Sequence, residues 1–152
     1  MLDSALGDRL AQIIADHQGL EGPLLPILHA VQAEWGHVPP SAIPVIAQAL
    51  NLGRAEVHGV VSFYHDFRSE PAGRTHLKLC AAEACQAQGA RALRDAVLAA
   101  AGLDAWGTTP DRRLTVEPIY CLGLCATGPA ALLDGRLVGR ADAKSLAKEA
   151  LA

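Results

Sequence analysis

Thr75 to Cys85 reads THLKLCAAEAC, and its two halves follow different rules. Up to Cys80 polar and apolar residues alternate, the period of two expected of a strand with one buried face. There the alternation stops, and Cys80 and Cys85 stand at C-x4-C spacing. A second strand, RLTVEPIY (113–120), ends in a similar way: CLGLC (121–125) sets Cys121 and Cys125 at C-x3-C spacing. The chain has 4 cysteines, so every thiol belongs to one of these two loops. If the strands are sheet neighbours with their C-terminal ends together, the loops lie side by side at one rim.

The surroundings of these strands support that reading. Between them, GARALRDAVLAAAG (89–102) is alanine-rich with Leu93, Val97 and Ala101 on one helical face, and Gly102 is a natural terminator. After them, AALLDGRLVG (130–139) carries Asp134-Gly135, a strong two-residue hairpin signal. ADAKSLAKEALA (141–152) is a closing helix with Leu146, Ala147 and Ala150 inward. From residue 75 the expected order is β-α-β-β-β-α.

Upstream the pattern is helical. Leu24, Ile27, Leu28, Val31 and Trp35 share one face over 24–35, and Pro26 falls in the first turn, where it is tolerated. Gly36 and Pro39-Pro40 stop that helix. Ser41 is the expected cap of a helix over 42–50, which has Pro44 in its first turn and ends at Asn51 to Gly53. A helix over 54–65 places Val57, Val61 and Tyr64 on one stripe with Val60 beside them. An opening helix near 4–17 makes four. Pro71 and Gly73 mark the change in pattern, so the expected division is a helical bundle over 1–70 and an α/β domain over 71–152.

Bulk composition narrows the class. A chain of 152 residues, 51% hydrophobic, supports one domain or two small lobes, burying roughly 70% of its unfolded surface. With 19% charged residues and a net charge of −3, no basic face is implied, and nucleic acid is excluded as an expected partner. Apolar runs are too short for a membrane span. MLDSALGDRLAQ lacks a basic segment followed by an apolar one, so it is not a secretory signal. The expected location is cytoplasmic, where structural disulfides are rare and a four-cysteine set is better suited to metal.

Four thiolates are the ligand complement of a [2Fe–2S] cluster, whose oxidised form then carries a formal charge of about −2. Gly123 would let backbone approach such a centre, and Gly128-Pro129 would fix the exit turn. Backbone N–H groups of both loops could donate to the sulfurs and raise the potential. Zinc accepts the same donor set, so a zinc-stabilised structural adaptor stays open on spacing alone. Neither pair is the C-x-x-C of thiol–disulfide enzymes. Neither loop holds a histidine, which disfavours a Rieske centre.

Beyond the cysteines, the chain resembles the thioredoxin-like [2Fe–2S] ferredoxin subunits. That family includes the 24-kilodalton subunit of respiratory complex I, the diaphorase-associated subunit of NAD-linked hydrogenases and the gamma subunit of NAD-dependent formate dehydrogenases. The resemblance lies in the cysteine block with CLGLC-x3-P, in Val60-Val61-Ser62-Phe63-Tyr64 followed by Phe67, and in Leu28 to Trp35 with Gln32, Gly36 and Pro39. It implies an N-terminal helical bundle followed by a thioredoxin-like domain with one [2Fe–2S] cluster, held by Cys80, Cys85, Cys121 and Cys125. HGVVSFYHDFR (58–68) and AEACQAQG (82–89) are most similar to the formate dehydrogenase gamma subunits. That branch implies a partner subunit carrying FMN and NAD, and a catalytic subunit carrying molybdenum cofactor.

Other residues take plainer expectations. Phe63 and Tyr64 read as bundle core, Trp35 and Trp106 as packing residues, and Glu83 as solvated. Arg91, Arg94 and Arg112-Arg113 read as an exposed face. His58 and His65 share a helical face but stand about 10 Å apart, too far to share one ion. No dinucleotide fingerprint or Walker loop is present, so substrate chemistry would belong to a partner.

Overall fold

The computed structural model describes residues 4–152. By its internal contacts the chain divides into two compact units, Met1–Pro71 and Ala72–Ala152.

The first unit is four helices: α1 (Ser4–His17), α2 (Leu24–Trp35), α3 (Ala42–Ala49) and α4 (Arg54–Phe63). Their apolar stripes meet in a core of Leu10, Ile13, Ile14, Ile27, Leu28, Val31, Ile46, Val57 and neighbours. Gly36 ends α2 at φ 73°, a left-handed conformation that costs glycine little. Ser41 does not cap α3: its own backbone is helical (φ −68°, ψ −19°), so its hydroxyl does not reach back to the first-turn amides. At α4 the Gly53 N–H donates to the Glu56 carboxylate at 2.6 Å. Gln32 ties α2 to the segment beyond α4, donating to the Asp66 carbonyl at 2.6 Å and accepting from the Arg68 N–H at 2.8 Å.

The expected helix over 54–65 stops at Phe63, because Tyr64 turns to extended backbone (ψ 107°). This overturns the assignment of Phe63 and Tyr64 to the core: they are 72% and 44% exposed. Phe67 fills the core instead, with its ring 4.9 Å from that of His29. The same break takes His65 off the helix that carries His58.

The second unit runs β1 (Thr75–Cys80), α5 (Glu83–Ala87), α6 (Ala90–Ala101), β2 (Gly107–Thr108), β3 (Leu114–Ile119), β4 (Ala131–Leu133), β5 (Arg136–Val138) and α7 (Ala143–Ala150). The sheet order is β2-β3-β1-β4-β5. β1 and β3 are parallel, and the other pairings are antiparallel. Leu77 and Leu79 of β1, Leu114 and Val116 of β3, and Ala131 and Leu133 of β4 bury one sheet face. Leu93, Val97 and Leu98 of α6, with Leu146 and Ala150 of α7, cover it. The Asp142 carboxylate caps α7 by accepting from the Ser145 N–H at 2.9 Å.

Asp134 and Gly135 form the two-residue turn between β4 and β5, both at positive φ (47° and 83°). Besides a 3-10 turn over Cys125–Thr127, one strand and one helix exceed the expected order. β2 is a two-residue edge strand whose Thr108 hydroxyl meets that of Thr115 at 2.7 Å. α5 is a five-residue helix inside the first cysteine loop.

Candidate metal centre

Topology brings the cysteine loops together. Cys80 is level with Ile119 in the parallel β1–β3 register, so Cys121 lies two residues beyond that partner at the same rim. On the other side of β1, the Cys80 N–H donates to the Ala130 carbonyl at 2.9 Å. β3 reaches this rim on one side of β1, and β4 leaves it on the other. The connection over 120–130, which holds Cys121 and Cys125, must therefore straddle the end of β1 where Cys80 stands.

The first loop turns inward through α5. Ala82 precedes the helix in an extended conformation, and one turn places Cys85 next to Cys80. Both are buried, in a small apolar cluster with Ala90 and Ala130, while Cys121 and Cys125 are exposed. The second loop is bent by backbone that side chains rarely adopt. Cys121 has φ 76° and Gly123 φ 75°, with a short 3-10 turn over Cys125–Thr127. Glycine bears that conformation at little cost, whereas a cysteine there is strained. Such strain concentrates at functional sites.

Two thiols respond to this surrounding in opposite directions. Burial pushes the Cys80 thiol up, but the Ala82 N–H, the Cys85 thiol and the Cys121 and Leu122 N–H groups together hold it below its ordinary range. The Cys85 thiol is pushed up by burial and by its hydrogen bond to Cys80, with the charges of Cys80 and Cys125 adding and the Ala130 N–H opposing. Donors from both loops therefore converge on the Cys80 sulfur, as expected from the sequence. Thiolate, not thiol, binds metal, and the hydrogen bonds that converge on Cys80 favour its thiolate, while burial works against that of Cys85. Among the described residues, no three His, Cys, Asp or Glu side chains gather around one point closely enough to hold a single ion.

Gln88 joins the two loops, and its spacing gave no sign of it. Its side-chain amide donates to the Ala84 carbonyl of the first loop at 3.0 Å and to the Cys125 carbonyl of the second at 2.7 Å. Gly128 makes room for it, since a Cβ there would stand 2.9 Å from the Gln88 amide nitrogen. The Gly128–Pro129 bond is cis. Replacing Gln88 with Ala removes both ties. Amide exchange at 125–128 is expected to rise about tenfold, equivalent to roughly one net hydrogen bond, with little change in global melting. Unchanged exchange there would remove Gln88 from the role of loop anchor.

The fold thus gathers two thiol-bearing loops at one rim of a mixed sheet. The chain belongs to the thioredoxin-like [2Fe-2S] ferredoxin family, whose model matches residues 10–150. This bears out the expected fold: helices at the N-terminus, then a thioredoxin-like domain.

The chain is 36% identical over 112 residues to NADH-quinone oxidoreductase subunit 2 of Thermus thermophilus, covering 74% of this chain and 62% of that protein. It is 30% identical over 139 residues to NADP-reducing hydrogenase subunit HndA of Solidesulfovibrio fructosivorans, covering 91% and 81%. A crystal structure of NAD+-reducing [NiFe]-hydrogenase in its H2-reduced state aligns with TM-score 0.68 and 28% identity, over 81% of this chain and 22% of that one. The chain thus spans less than two thirds of the Thermus protein and about a fifth of that hydrogenase chain. No helix among the described residues is long and apolar enough to cross a membrane.

Proposed function

We propose that the chain is the [2Fe–2S] electron-transfer subunit of a cytoplasmic NAD-dependent formate dehydrogenase. In this reading Cys80, Cys85, Cys121 and Cys125 hold the cluster. The donor set fits it: four thiols at one rim, two buried and two exposed, with backbone N–H groups directed at the Cys80 sulfur. When bound, the cluster supplies a one-electron couple and no substrate chemistry. The residues around it do the rest. Leu122, Leu124 and Ala130 shield the inner thiols, while the exposed Cys121 and Cys125 mark the face from which electrons are exchanged.

The partner that fits is a subunit binding FMN and NAD, with formate oxidised on a third subunit at a molybdenum centre. Membership in the ferredoxin family over nearly the whole chain is the observation that carries the electron-transfer reading. The formate branch rests on the stretches 58–68 and 82–89. The similarity to a quinone oxidoreductase subunit and a hydrogenase subunit supports a second reading, the equivalent subunit of complex I or of an NAD-linked hydrogenase. A zinc adaptor is disfavoured by the family.

The test is anaerobic affinity purification of the tagged chain from its native host. Formate-dependent NAD+ reduction in a red-brown eluate is the expected result. A red-brown eluate that instead couples NADH to quinone or hydrogen moves the chain to the second reading. A colourless, zinc-containing eluate ends both.

A further inference from the structure

A cleft of about 410 Å3 opens beside Cys80, lined by the end of β1, by Gln86, Ala90, Arg91 and Arg94, and by Trp106 and Tyr120. No carboxylate lines it. The Arg94 guanidinium is paired outside the lining with Asp95 at 2.6 Å. Arg91 is different. Its partner among the described residues is the Gln86 amide oxygen at 3.0 Å, and Gln86 is itself anchored to the Ala81 carbonyl at 2.5 Å. An amide holds the guanidinium in place without neutralising it, so the cleft carries a fixed, uncompensated positive charge on a chain whose net charge is −3.

Tyr120 forms part of the cleft, is 74% exposed and directly precedes Cys121. Tyrosine and arginine are the residue types most enriched where partners bind, and a large ring left in water at the electron-exchange rim is a surface awaiting cover. A guanidinium matches a carboxylate in geometry as well as charge.

We propose that this cleft receives an acidic segment of the electron-exchange partner, with an Asp or Glu carboxylate on Arg91, beside Arg94, and neighbouring backbone over Tyr120. The proposal rests on the electron-transfer reading above and adds the chemistry by which the partner is seated. Charge pairing at that rim also speeds encounter and fixes orientation, which a one-electron donor needs more than tight affinity.

The experiment uses the cluster-loaded full chain and a fluorescein-labelled tetraglutamate peptide, followed by anisotropy at low salt. Saturable binding is expected despite the like net charge, at least about tenfold weaker in R91A/R94A and absent for tetraglutamine. Arg91 is exposed and Arg94 half-exposed, outside the cores, so the double variant keeps its fold. Equal binding by the double variant, by tetraglutamine, or no saturation at all would overturn the proposal. So would displacement of the peptide by inorganic phosphate at equal concentration, which would make this a small-anion site. The visible absorption of the same sample separates the two levels. A loaded chain that ignores the peptide sinks the cleft alone, whereas a chain that takes no cluster sinks the electron-transfer reading and the cleft with it.

Discussion

Cys121→Ser is expected to yield a folded chain whose affinity for iron falls at least about tenfold and which is purified with less iron, since even residues behind metal ligands change affinity by roughly 10–100-fold. A serine hydroxyl is close in size to a thiol but does not ionise in the range where thiols do, so it cannot replace a thiolate donor. Cys121 is also a position where the backbone carries a left-handed conformation (φ 76°), a strain of the kind that concentrates at functional sites. Its N–H faces the Cys80 sulfur, so in the proposed ligand set one residue would serve the site through its thiol and through its backbone. Serine preserves the second role and removes the first. The variant should still fold, because Cys121 is exposed and belongs to neither main core. Iron per chain and the EPR spectrum of the dithionite-reduced protein measure the loss. A full-strength signal would remove Cys121 from the ligand set.

Much of this site is legible in the sequence because it depends on spacing. THLKLC alternates, ends on Cys80, and pairs in parallel with a strand that ends just before Cys121. The Asp134-Gly135 turn is equally readable, because its positive φ values select those residues. What escapes has no period. α5 is barely more than one turn, too short for an amphipathic repeat, and β2 is a two-residue edge fixed by a threonine pair across the sheet. Phe63 and Tyr64 extend the α4 stripe on paper, but no glycine or proline announces that the helix stops at Phe63. Gln88 bridges the loops from a position that looks like any exposed helix-flanking glutamine. Arg91 and Arg94 likewise read as a solvated face, since only the folded chain brings Trp106 and Tyr120 to them.

Leu77→Ala is expected to destabilise the Ala72–Ala152 unit by about 2–5 kcal/mol, a large share of the roughly 5–15 kcal/mol that holds a domain folded. Leu77 is fully buried on the central strand of the sheet. It stands level with Val116 of β3 on one side and Leu133 of β4 on the other, within the core that α6 and α7 cover. Few neighbours can collapse into the space, because both flanking positions are fixed by the strand register. In urea this corresponds to a midpoint lower by roughly 1–2.5 M, for a typical slope near 2 kcal/mol per M. An unchanged midpoint would contradict the central placement of β1. The loaded chain adds a second readout, because β1 ends on Cys80 and both loops hang from its rim. If that strand is what positions the thiols, iron release and loss of sheet structure shift together in the variant. If iron leaves well before the sheet unfolds, the loops are held by their own ties, Gln88 foremost, and the sheet only brings them near one another.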